Sequence, residues 1–146
     1  MARERRHIMA TIRERRALDI GVDDAWAQLA DVGGIHRLVS FLDGADVEGD
    51  RRVCRIAEDS PFPGELVETI LSVDGDLRRV AYVITASPFG MAAHAASMEI
   101  VGDAGEAALV WTTDVKPDAL APQLAGVIAS EIDHIAARLN DAGGAR

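Results

Sequence analysis

Three side chains carry usable chemistry in unusual settings: Tyr82, His94 and Glu131. Side chains alternate across a strand, so a strand over 77–86 puts Tyr82 on one face with Val80 and Ile84, opposite Arg79, Ala81 and Val83. A tyrosine there orients a carbonyl or donates a proton; the structural alternative is a packed ring with a satisfied hydroxyl. A strand over 92–101 places His94 with Ala96, Met98 and Ile100, while Ser97 and Glu99 turn away. Histidine titrates near neutral pH and suits general acid/base work; the alternative is a core histidine with a backbone partner. Glu131 falls inside the apolar arc of a long C-terminal helix, between Leu124 and Val127 on one side and Ile135 on the other. A buried carboxylate without a partner is costly or takes up a proton. Glu131 is therefore an acid or base, a partner for an arginine of the sheet, or part of a wet turn beyond the sheet's end. His36, after Gly33-Gly34, reads as a polar contact or a surface-loop histidine. Arg52, Arg55 and Glu68 stay open, because bulges in a bent sheet reverse side-chain direction.

Other catalytic signatures are missing. There is no His-x-x-x-His with a nearby Glu, no Cys-x-x-Cys, no phosphate-binding glycine loop and no nucleophile elbow. Cys54 sits in mid-strand with no activating neighbour in sequence, and one cysteine makes no internal disulfide. No metal and no cofactor is expected, and catalysis would be acid/base and positional.

The elements that must position these groups are mostly strands. Residues 11–20 read as extended, and Asp23 or Asp24 is expected to cap a short helix through Asp31 that buries Ala25, Trp26, Leu29 and Ala30. Gly33-Gly34 is expected to stop it, with a second short helix over 35–40. Strands follow near 42–48, 51–58, 64–73, 77–86, 92–101 and 107–115, separated by turns such as Gly49-Asp50, Pro61-Phe62-Pro63-Gly64 and Asp74-Gly75-Asp76. Short connections imply an antiparallel meander. Pro117 and Asp118 open a helix over 119–140, closed by Gly143-Gly144, whose apolar arc holds Leu120, Leu124, Val127, Ile128, Ile132, Ile135 and Leu139. The order predicts an α+β fold: a curved sheet around one long helix, with two small helices at its mouth.

Composition limits the function. At 146 residues, 49% hydrophobic and 27% charged, the chain fits one globular domain and excludes disorder and low complexity. Residues 10–141 read as that domain, 1–9 as a flexible N-terminal extension and 142–146 as a tail. No apolar run approaches the roughly 20 residues that span a bilayer. The start, MARERRHIMA, lacks the apolar core of a secretory signal, and the compartment expected is the cytoplasm. A net charge of −9 argues against nucleic-acid binding. Charge is uneven: residues 1–16 hold six arginines against two glutamates (+4), leaving nine basic against 22 acidic residues (−13). That basic stretch is an arm for an anionic surface or, more plainly, the solvent face of a first strand.

Several segments together resemble the START/SRPBCC superfamily, in particular its polyketide cyclase/dehydrase-like branch. They are Asp23-Asp24-Ala25-Trp26 leading to Val32-Gly33-Gly34-Ile35-His36, and Gly49-Asp50-Arg51-Arg52 at the next hairpin. Then come the strand Glu68-Thr69-Ile70-Leu71-Ser72-Val73-Asp74, Ala81-Tyr82-Val83-Ile84 before Ser87-Pro88-Phe89, and Val110-Trp111-Thr112 near the last helix. The resemblance spans about residues 10–141. It implies a helix-grip fold: a seven-stranded antiparallel sheet wrapped around the long C-terminal helix, with two short helices after the first strand. It also implies a cavity between sheet and helix for a hydrophobic small molecule. Tyr82, His94 and Glu131 then become its candidate catalytic groups, and His36, Leu38, Val80, Ile84, Met98, Trp111, Leu124 and Ile128 its candidate ligand contacts. Leu38 departs from the aromatic residue that many relatives carry after the Gly-Gly turn. The alanine-rich composition, with six aromatic residues, predicts a spacious and mostly aliphatic cavity. The expected function is a cyclase or aromatase/cyclase for a polyketide-like molecule. Alternatives are a noncatalytic carrier or sensor, or an Aha-type co-chaperone-like module. A homodimer is left open.

Overall fold

The computed structural model describes residues 8–103 and 105–144; most of the expected N-terminal extension and the end of the tail lie outside them. The first strand, β1 (Ala10–Leu18), leads into α1 (Val22–Leu29) and a short 3-10 helix over Val32–Arg37. Six strands follow: β2 (Leu42–Glu48), β3 (Arg51–Ile56), β4 (Gly64–Asp74), β5 (Arg79–Ala86), β6 (Ala93–Asp103) and β7 (Glu106–Lys116). A 3-10 turn at Asp118–Leu120 then enters α2 (Ala121–Gly144).

The seven strands form one antiparallel sheet in the order β1-β7-β6-β5-β4-β3-β2. Strands β2 to β7 are a meander, and β1 joins it beside β7. Between β1 and β2 the chain crosses from one edge of the sheet to the other, and α1 and the 3-10 helix make that crossing. This is the helix-grip architecture. Among the described residues no helix is long and apolar enough to cross a membrane.

Local chemistry accounts for the differences from expectation. The N-cap of α1 is Gly21, not an aspartate; Asp23 and Asp24 sit in the first turn, where carboxylates favour the positive end of the helix dipole. Gly33 and Gly34 lie inside the 3-10 helix instead of ending α1. A Cβ at Gly34 would come within 2.6 Å of the exposed Asp31 carboxylate, which would have to swing aside to admit it. Helix α2 starts two residues late, after the 3-10 turn, with Pro122 in its first turn, where no backbone donor is needed. It also continues through Gly143-Gly144, the expected stop.

Helix α2 divides into two halves. In its C-terminal half Ile132, Ile135 and Leu139 are completely buried in a core shared with Leu18, Val22, Leu29, Ile100 and Leu109. The N-terminal half, from Leu124 to Ile128, instead faces a hollow. Val127, expected in the apolar arc, is 43% exposed because it lies at the mouth of that hollow, where no strand covers it.

Candidate functional site: a polar cluster in an apolar cavity

The hollow between sheet and α2 is a cavity of about 360 Å³. That falls within the roughly 300–1,000 Å³ of ordinary ligand sites. Its sheet wall comes from β3 to β7, its lid from the N-terminal half of α2, and one side from Ile35, Val39, Phe41 and Leu42. At the mouth, the loops after β3 and β5 meet through Phe62 and Phe89, whose rings pack edge to face at 5.7 Å. Five of the six aromatic residues (Phe41, Phe62, Tyr82, Phe89 and Trp111) line the cavity. The cavity lining is mostly aliphatic, as composition led us to expect: aliphatic side chains outnumber aromatic ones, although nearly all of the few aromatic residues are also spent here.

Strand alternation delivers Tyr82 and His94 to this wall, together with Ile84, Met98 and Trp111; Leu124 and Ile128 face them from α2. Four other expected site residues lie elsewhere. Val80 and Leu38 are buried in the solid core and do not line the cavity, and His36 lies on the 3-10 helix with its Nδ1 buried and unpartnered. Glu131 is buried, yet its carboxylate is turned to Ser40, accepting hydrogen bonds from the Ser40 amide at 2.8 Å and from its hydroxyl. The partner is not an arginine of the sheet but the segment entering β2.

Arg52 and Glu68 supply what sequence left open. Both are buried and line the cavity, joined by an ion pair of 2.7 Å between Arg52 Nε and Glu68 Oε1. Arg52 Nη1 also donates to the Val32 carbonyl at 3.0 Å. The Cys54 thiol donates to the same Glu68 oxygen at 3.3 Å. Among the described residues no protein group bonds Arg52 Nη2 or Glu68 Oε2, and neither atom is sealed from the cavity. Part of the signal was present in the sequence, since Arg52 alternates with Cys54 and Ile56, and in the structure Glu68 shares the buried face with Leu66. The β3–β4 register then sets Arg52 directly across from Glu68.

The cluster is tightly packed and electrically quiet. The Arg52 guanidinium lies 5.4 Å from the centre of the Tyr82 ring, and His94 lies 5.7 Å from that ring on centroids. Trp111 Nε1 donates to the Tyr82 hydroxyl at 3.1 Å, leaving the hydroxyl hydrogen without an acceptor among the described residues. Burial, then the Glu68 charge, pushes the Tyr82 pKa up, so the phenol stays protonated. The β5–β6 pairing ends at Tyr82 and Ala96, and the His94 side chain takes the next amide, with Ile84 N–H donating to Nδ1 at 2.9 Å. Since Nδ1 accepts, the neutral ring carries its hydrogen on Nε2. Burial, opposed by the Asp114 charge, lowers the His94 pKa from 6.5 to about 4. His94 is thus a neutral donor at physiological pH. Burial, then Glu68, pushes the Cys54 thiol up to about 12, which removes it as a nucleophile. Among the described residues no three His, Cys, Asp or Glu side chains gather in a way that would hold a metal ion.

Known proteins share this architecture. The chain is 23% identical to a protein from Thermobifida fusca solved in solution, with a TM-score of 0.72 over 90% of this chain and 94% of that one. The Zhui aromatase/cyclase of a Streptomyces species superposes with a TM-score of 0.71 at 18% identity, over 92% and 93% of the two chains. Norcoclaurine synthase from Thalictrum flavum, solved in complex with dopamine and hydroxybenzaldehyde, gives 0.67 at 17% identity, over 93% of each chain. At such identities the likeness is one of fold. The sequence matches no curated protein. A family model for polyketide cyclase / dehydrase and lipid transport proteins matches residues 9–141, and the chain belongs to that family.

Proposed function

We propose that the cavity binds a hydrophobic, polyketide-like molecule and that the protein cyclises it by acid/base and positional catalysis. The observation that carries this is a set of inward hydrogen-bonding groups (Tyr82, His94, Arg52 and Glu68) in an otherwise apolar wall of aliphatic and aromatic side chains. The five aromatic side chains in that wall suit a planar ring system. The Tyr82 hydroxyl and the His94 Nε2–H are neutral donors able to meet one carbonyl oxygen, where negative charge develops when an adjacent C–H is broken. In this scheme Glu68 takes that proton, and the electron pair passes through the enolate to a second carbonyl of the same molecule, closing the ring. The resulting alkoxide recovers the proton from Glu68. Folding the chain so that the two carbons meet is the cavity's main contribution. Glu68 thus replaces Glu131 as the carboxylate of the scheme, and Glu131 becomes a brace. A carrier role uses the same cavity without turnover, and the mutual engagement of Arg52 and Glu68 favours it as second reading.

Native mass spectrometry of the protein purified gently from its own host tests the proposal. A stoichiometric adduct of small-molecule size is expected, and incubation with the open-chain precursor should change that compound's chromatographic retention and spectrum catalytically. Release of an unchanged compound supports the carrier. No adduct, even with added aromatic polyketides and fatty acids, overturns both.

A further inference from the structure

We propose that the cavity selects uncharged ligands, and that Glu68 is the residue that excludes carboxylates, by neutralising Arg52 inside it. This rests on the ligand-cavity reading above. Arg52 and Glu68 are the charged side chains of the cavity lining, 3% and 5% exposed, and they are paired with each other. The titratable groups beside them add no charge at neutral pH. Tyr82 on β5 stays a phenol, His94 on β6 stays an imidazole, and Cys54 behind Glu68 stays a thiol. Strand β7 contributes Trp111 and Thr113, and α2 contributes Gln123 with apolar side chains.

A ligand carboxylate entering this space meets an arginine whose charge is already matched, and it comes to rest against Glu68. Two carboxylates around one guanidinium in a low dielectric do not both stay ionised. The acid therefore has to bring a proton with it. A neutral ketone or phenol has no such requirement, and its oxygen finds the Tyr82 and His94 donors free.

Two probes with one bicyclic body separate the cases: methyl naphthyl ketone and naphthoic acid, titrated against the full chain by calorimetry between about pH 5.5 and 8, where His94 stays neutral. Ketone affinity should stay constant across the range. Naphthoic acid should bind about tenfold more weakly for each unit of rising pH, because only its protonated form enters. Glu68→Gln should raise naphthoate affinity near pH 8 by at least about tenfold. Naphthoate binding as tightly as the ketone near pH 8, with no pH dependence, overturns the inference. So does a Glu68→Gln protein that folds and gains no naphthoate affinity. If that variant does not fold, the pH slope of the unaltered protein decides alone. Failure of both probes to bind overturns the cavity reading itself.

Discussion

An imidazole in water takes up its proton near neutrality, but His94 is walled in and already bonded to the Ile84 amide, and it resists that proton down to about pH 4. The unfolded chain, with an ordinary histidine near 6.5, binds a proton in that window that the folded protein refuses. The unfolded state therefore holds more protons there, so stability falls as pH drops from about 6.5 to 4 and is complete above it. The shift corresponds to roughly 3 kcal/mol. His94→Gln should lose markedly less stability than the unaltered protein between about pH 7 and 4.5, measured by urea unfolding at each pH. An identical pH dependence in both would contradict the assignment. At this scale alternation alone was enough to place Tyr82 and His94 on the cavity face. It was not enough for the ion pair. Register shifts in the β4–β5 ladder at Val67/Glu68 and Ile70/Ser72 break the strict period of two beside Glu68, so its direction depends on partners the local sequence does not name.

Among the elements, α2 does two tasks along one helix: Ile132, Ile135 and Leu139 fill the core, and the turns before them roof the cavity. Glu131 sits at the junction and ties the helix to Ser40, whose neighbours Val39, Phe41 and Leu42 form one cavity wall. Glu131→Ala leaves the Ser40 amide without its carboxylate and should destabilise the protein by about 1–3 kcal/mol in urea unfolding. Glu131→Gln, which keeps an acceptor for that amide, should cost less than half as much. Equal losses would show that helix packing, not the bond to Ser40, is what Glu131 supplies. The arc of α2 was legible from helical spacing, as were the seven strands from their turns. The anomaly of a carboxylate inside the arc was also legible. Its partner was not, because Ser40 lies 91 residues away and reaches Glu131 only through the crossing that carries the chain over the sheet.

For the molecule as a whole, the family resemblance announced a sheet gripping a helix, and the seven-stranded order with β1 beside β7 is that arrangement. Whether such a grip closes on itself or leaves room is a property of distances between distant elements. Alanine content suggested room, and the room is lined by aliphatic side chains joined by five aromatic ones drawn from separate strands and loops. The proposed function requires that this space hold a ligand by a carbonyl aimed at Tyr82 and His94. A crystal structure of the protein with methyl naphthyl ketone tests it most directly. The naphthyl body is expected against Phe41, Phe89 and Trp111, with the carbonyl oxygen about 2.6–3.2 Å from the Tyr82 hydroxyl and His94 Nε2. Ketone found only on the outer surface, or a cavity filled by its own side chains, would contradict it.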